Sequence, residues 1–448
     1  MAAALFCSSF LLGCKQNDPE PPVDQSDYTM LIYSTVGGKM DYLIEEIWAE
    51  TQLFLPDKKV RVFCVHKYGK EDGFKGKYGQ PGEIVAFELT KDTKFEDVCK
   101  EGTIIKDLPL YEPICLTSAL DWAAETAPAK QYILTLYGHG GGFDANVDYP
   151  REWAKAGDEV YDTYPHVPHK APQGVLYDEW MVGRQGMNMY ELTEAIAASK
   201  ITHLKGLMFH NCLMGGMESM MEVQPYTDYI IATPFLMTSE DNPLIPMLVK
   251  NIRAYPDFET AARHTVIDSK ARMINGFQHE DPAYMNGNVE LLKSSELQGI
   301  CKVVRTLSKR ICALYPTQQT ALDNATNKAY RFYNKKPYFD LLQYAQQLAE
   351  QTGDEDLKTI VKQLEQAFTR TILEQVTADM HVLPALPAYS LSIVLVDQST
   401  FEAAIPERDF TYQQVYEHTE FHRLTLWGEW LHMNKQLPTG NPCGQIIE

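Results

Sequence analysis

Two side chains in this sequence can do carbonyl chemistry together, and each follows an apolar run. His139 follows Tyr132-Ile-Leu-Thr-Leu-Tyr-Gly138, and Cys212 follows Leu204 to Phe209 and the pair His210-Asn211, 73 residues further on. A thiol is a strong nucleophile once deprotonated, and an imidazole is a base suited to neutral pH. Gly138, Gly140, Gly141 and Gly142 surround the histidine. Without side chains they leave backbone N–H groups open to a substrate oxygen, as an oxyanion site requires. Taken singly, a glycine turn after a strand is only a turn, and a cysteine at an apolar strand end is only a small buried hydrophobe. Their occurrence on two matching strand ends carries the inference.

The flanking segments must supply those strand ends. Met30 to Thr35, Val60 to Val65, Tyr132 to Tyr137, Leu204 to Phe209 and Tyr229 to Ala232 are short apolar runs. Between them, Met40–Phe54, Leu116–Ala127, Met189–Ser199 and Leu213–Val223 have helical spacing. Strands alternating with helices predict a largely parallel sheet covered on both faces, in which reactive groups gather at the carboxyl ends of the strands. A helix over Leu213–Val223 would put Cys212 at a strand-to-helix junction, where first-turn N–H groups favour a thiolate. Residues 69–82 read as a loop or hairpin and 144–172 as a long surface loop, long enough to invite a proteolytic cut. From about residue 257 helices dominate (257–274, 292–314, 338–378), with a late strand at Leu391–Val396.

The composition is that of a globular protein, with 45% hydrophobic and 22% charged residues. A formal net charge of -20 argues against nucleic acid as a partner and admits cationic peptides. Ala4 to Gly13 is an apolar stretch too short to span a bilayer, and Leu11-Leu12-Gly13-Cys14 resembles a lipobox. A polar tether with Pro19, Pro21 and Pro22 follows. These features predict a signal peptide over 1–14, a tether over 15–27, lipid on Cys14 and a bacterial cell-envelope location. The seven later cysteines, 64, 99, 115, 212, 301, 312 and 443, show no C-x-x-C pairing, and H-E-x-x-H is absent. No metal or cofactor is expected, and nothing in the sequence argues for or against calcium.

The segment Tyr132–Phe143 resembles the strand-His-Gly element of clan CD cysteine peptidases. Gly206-Leu-Met-Phe-His-Asn-Cys-Leu-Met-Gly-Gly-Met-Glu-Ser219 resembles the nucleophile segment of the clostripain-like members. Glu218, Asp228 to Ala232, Gly174 to Asp178, Tyr338 to Ala345 and Trp427 to Trp430 carry the likeness along most of residues 28–435. The resemblance implies a caspase-like α/β fold: a mostly parallel sheet flanked by helices over 28–255, with a mainly helical region over 256–448 packed on it. It also implies a cysteine endopeptidase in which Cys212 attacks, His139 moves the proton, and the backbone N–H groups of Gly140 and Cys212 hold the oxyanion. Relatives carry an Asp two residues before the nucleophile, in the pocket for Arg or Lys. This chain has His210, and only a nearby acid such as Glu240 or Asp241 could restore a carboxylate. A serine hydrolase is argued against by the lack of G-x-S-x-G. The remaining alternative is a weak or inactive peptidase-fold lipoprotein that binds peptides or proteins.

Overall fold

The computed structural model describes residues 25–35, 41–69, 75–101, 110–145, 186–235, 237, 244–279, 286–332, 337–379, 391–406 and 409–436. The strands, in chain order, are β1 (Ser26–Thr35), β2 (Val60–Lys67), β3 (Ile84–Leu89), β4 (Ala129–Gly138) and β5 (Leu204–His210). They continue with β6 (Thr227–Ala232), β7 (Asn286–Lys293), β8 (Tyr338–Asp340), β9 (Ile372–Asp379) and β10 (Ser392–Val394). Eight of them form one sheet in the order β3-β2-β1-β4-β5-β6-β7-β9, and β8 pairs with β10 in a separate ribbon.

From β2 through β1, β4 and β5 to β6 every neighbouring pair is parallel, as the strand–helix alternation predicts. Those strands are apolar on both faces because both are covered. Leu31, Leu134, Leu136, Leu207 and Phe209 point into one core, under the helices Pro113–Thr126, Met189–Ala198, Met217–Val223 and Leu297–Lys328. Met30, Ile32, Ile133, Met208 and Ile231 point into the other, under Asp41–Gln52, Leu244–Ala254 and Phe258–His279. Residues one apart along a strand thus serve opposite cores, the period-2 rule of a pleated sheet. Among the described residues, no helix is long and apolar enough to cross a membrane.

The outer strands depart from the sequence reading. β3, β7 and β9 join antiparallel to their neighbours; β9 lies where helix was expected, and β3 and β7 fall almost wholly in stretches to which no strand or helix was assigned. The β7–β9 pairing shifts register between Leu291, opposite Glu374, and Leu292, opposite Ile372, while Leu291 and Leu292 still face opposite cores. β9 follows the helix Glu355–Thr371 without any Gly or Pro between, so the helical pattern runs straight into it. The expected strand at Leu391–Val396 is present as β10, but in the small ribbon rather than in the main sheet. The loop at 144–172 from Asn146 onward and the short piece at 175–178 lie outside the described residues.

Candidate active site

β4 and β5 are adjacent parallel strands with Tyr137 opposite His210. The chain therefore leaves the two strands side by side, and His139 and Cys212 follow at the same carboxyl edge of the sheet. Both are partly buried. Asn211, 1% exposed, stitches the two exits together: its Nδ2 donates to the Gly138 carbonyl at 2.9 Å and to the His139 carbonyl at 3.1 Å. The sequence reading passed over this residue, whose only signal is its place between the pocket position and the cysteine.

The glycines after His139 have distinct duties. A Cβ on Gly140 would fall 2.4 Å from the Cys212 carbonyl oxygen and 3.2 Å from the Cys212 nitrogen. The two backbones therefore touch, which only glycine allows. Gly142 has φ +67, and a Cβ there would sit 2.8 Å from Cζ of Tyr338. Protein packed around His139 disfavours its cation and lowers its pKa below the ordinary histidine value. At the cysteine, the Met237 N–H donates to Sγ at 3.2 Å. The thiol in turn donates to the Met237 carbonyl at 3.7 Å, so one residue holds the sulfur through both of its backbone groups.

The expected helix start at Cys212 is corrected. The helix begins at Met217. Leu213 instead takes φ 63, its N–H donates to the Phe235 carbonyl at 2.7 Å, and the Gly215 N–H donates to the Thr233 carbonyl at 2.7 Å. The turn after the cysteine is thus pinned to the segment beyond β6. The Met237 amide, rather than a helix terminus, is the donor at the sulfur.

His210 is buried beside Tyr137, ring centroids 4.6 Å apart and edge to face. Among the described residues, neither imidazole nitrogen has a hydrogen-bond partner, and neither does the Tyr137 hydroxyl. Burial with no compensating acid pulls the His210 pKa down to about 3, so the ring is neutral at physiological pH. Glu240 and Asp241, like Cys14, lie outside the described residues. Further along the same row of registered residues, Ser34 Oγ lies 2.9 Å from His66 Nδ1, and His66 Nε2 lies 3.4 Å from Asp41 Oδ1. This Ser–His–Asp set has no exposed surface and cannot meet a substrate. Asp41 accepts from the Gly69 N–H, so the set braces the exit of β2.

Comparison with known proteins gives this geometry a setting. The model of the clostripain family of C11 peptidases matches residues 83–432. A secreted C11 cysteine protease of Bacteroides thetaiotaomicron, iotapain, is similar at 13% identity, with 90% of this chain and 99% of that chain covered and a TM-score of 0.57. A secreted C11 cysteine protease of the same organism, in complex with an irreversible peptide inhibitor, is similar at 14% identity, 90% and 99% coverage and a TM-score of 0.58. An inactive zymogen C11 protease of Parabacteroides distasonis is similar at 15% identity, 90% and 98% coverage and a TM-score of 0.56. At such identities the structural likeness speaks for the fold alone. No curated protein sequence matches the chain. The family model spans more than half of the 448 residues, and the chain belongs to the clostripain family of cysteine peptidases.

Proposed function

We propose that the chain is a cysteine endopeptidase working through Cys212 and His139. The observation that carries this is the backbone contact of Gly140 with Cys212 at the shared edge of β4 and β5. On this reading the N–H groups of Gly140 and Cys212 are the oxyanion donors, and the close approach of the two backbones supports their acting together. The Cys212 sulfur attacks the scissile carbonyl, and the carbonyl oxygen gathers charge against those N–H groups. His139 takes the proton of the Cys212 thiol as the sulfur attacks and passes it to the departing amine, leaving an acyl-enzyme on sulfur. Water, activated by the same imidazole, then releases the acid and restores the thiol. The lowered pKa of His139 keeps it in the neutral form that can accept a proton near pH 7.

Substrates are peptides or proteins, in keeping with the family, and without a strict Arg or Lys preference at the cleavage site. The apolar stretch before Cys14 supports export, with a lipid on Cys14 holding the enzyme at the cell envelope. The iotapain relative is itself secreted. The test uses the purified chain and a peptide library. Wild type should hydrolyse it, and Cys212→Ala and His139→Ala should each lose the activity. Undiminished hydrolysis by Cys212→Ala would remove the reading. A wild-type chain that binds peptides without cutting them would favour the peptide-binding lipoprotein instead.

A further inference from the structure

The loop bearing His139 and the turn bearing Cys212 are both held by one small element from the far end of the chain, the β8–β10 ribbon. Tyr338 of β8 is buried, and its hydroxyl donates to the carbonyls of Gly141 at 2.6 Å and Phe143 at 2.8 Å. Its ring fills the space left by the missing side chain of Gly142. Directly opposite Tyr338 in the antiparallel pair stands Val394 of β10. The Val394 N–H donates at 3.0 Å to Oε1 of Glu218, the second residue of the helix that follows the cysteine turn. The Tyr416 hydroxyl donates to the same oxygen at 2.7 Å. Two residues back along β10, the Ser392 N–H donates to the Gly215 carbonyl at 3.0 Å, and Ser392 bridges to Gly216. The ribbon is itself fixed, since the Trp427 indole N–H donates to the Val394 carbonyl at 3.0 Å.

We propose that the β8–β10 ribbon is the template that sets His139 against Cys212, with Tyr338 and Glu218 as its positioning residues. The proposal rests on the reading of Cys212 and His139 as the reacting pair. A short ribbon has one register, so a hold on the histidine loop through Tyr338 and a hold on the cysteine turn through Glu218 fix the two loops relative to each other. Peptide hydrolysis is sensitive to such placement, and an error of about 1 Å can cost on the order of 100-fold in rate. The last hundred or so residues thereby become part of the catalytic apparatus without touching the substrate.

The test uses the full chain and a fluorogenic peptide selected from a library. Tyr338→Phe removes only the hydroxyl and keeps the ring against Gly142. It should lower kcat by on the order of 100-fold, with KM and the melting midpoint little changed. Glu218→Ala, which leaves the buried Val394 N–H and Tyr416 hydroxyl without their acceptor, should lower both kcat and the melting midpoint, and Glu218→Gln, which keeps a carbonyl oxygen for both, should recover most of the loss in kcat. The double variant Tyr338→Phe with Glu218→Ala should be little worse than the poorer single variant, because both break one template. Unchanged kcat in Tyr338→Phe, or losses that follow the melting midpoint alone, would overturn the proposal. Cys212→Ala run in parallel separates the two readings. An inactive Cys212→Ala beside a fully active Tyr338→Phe sinks the ribbon and leaves the dyad standing.

Discussion

Gly140 and Cys212 meet backbone to backbone, with no room for a β-carbon between them: the 2.4 Å to the Cys212 carbonyl oxygen is far inside van der Waals contact. Gly140→Ala must therefore push the histidine loop off the cysteine turn. Loss of one oxyanion donor typically costs about 100- to 1,000-fold in kcat, and that range is expected here. Alkylation of Cys212 should persist in the variant, because the thiol itself is untouched. Steady-state hydrolysis together with iodoacetamide labelling checks both halves, and near-normal hydrolysis would place the oxyanion elsewhere.

Cys212 should be the thiol that reacts first. Cys99, Cys115 and Cys301 are buried and Cys312 is partly so. Burial raises Cys99 and Cys312 to about 11 and Cys115 and Cys301 to about 12, and holds Cys64 higher still. At pH 8 a thiol of pKa 11 is roughly one part in a thousand thiolate. Cys212 is partly open and has the Met237 N–H at its sulfur. Brief iodoacetamide treatment followed by peptide mapping should find the label there, and a label concentrated on Cys312 would argue against the assignment.

The legible part of this protein is local. Apolar runs leading to His139 and Cys212, separated by helical spacing, were enough to predict a largely parallel sheet, because such a sheet writes its burial into each strand; that these two strands are neighbours came from the structure. The turn after Cys212 was misread as helix because Leu213, Met214 and Met217 suit a helix face. What breaks the helix there is a pair of hydrogen bonds to residues 233 and 235, which local spacing does not encode. The duty of Tyr338 was hidden for the same reason: its acceptors lie nearly two hundred residues away.

Stability should fall as pH rises through neutrality. Glu218, buried, and Glu222, partly buried, stand one helical turn apart against the C-terminal segment and accept from Val394 and Tyr416 and from the Glu420 N–H respectively. Burial raises each carboxyl to about 7 from an ordinary value of 4.5. A raised carboxyl keeps its proton in the folded protein after the unfolded chain has lost it. Between about pH 4.5 and 7 the unfolded state therefore binds fewer protons, and stability drops with pH, levelling off above the folded pKa. For Glu218, which is fully buried, the loss is on the order of 3 kcal/mol. Glu218→Gln should flatten that part of the profile and melt higher than wild type at pH 8. Thermal midpoints at pH 5, 6, 7 and 8 would show it, and a wild-type midpoint rising over that window would contradict it.

His210 should deprive the enzyme of strict Arg selectivity. It stands two residues before Cys212 on β5, where the family resemblance puts the pocket acid, and its pKa of about 3 leaves it uncharged at any ordinary assay pH. A neutral imidazole beside the Tyr137 ring offers dipoles to a substrate side chain but no countercharge. Removing the charged partner of a buried guanidinium costs about 2–5 kcal/mol, or about 30- to several-thousand-fold in affinity. A peptide library varied at the residue before the scissile bond should therefore give a broad or apolar profile at pH 7.5. The profile should be the same at pH 6, because the ring does not titrate between the two. His210→Asp should sharpen it toward Arg. Introducing a buried carboxylate next to Tyr137 also tests the fold, so the melting midpoint is measured alongside and the profile read only from the folded fraction. Strong Arg selectivity in wild type, unchanged in His210→Asp, would mean that another acid supplies the charge, with Glu240 and Asp241 the first to replace by Ala.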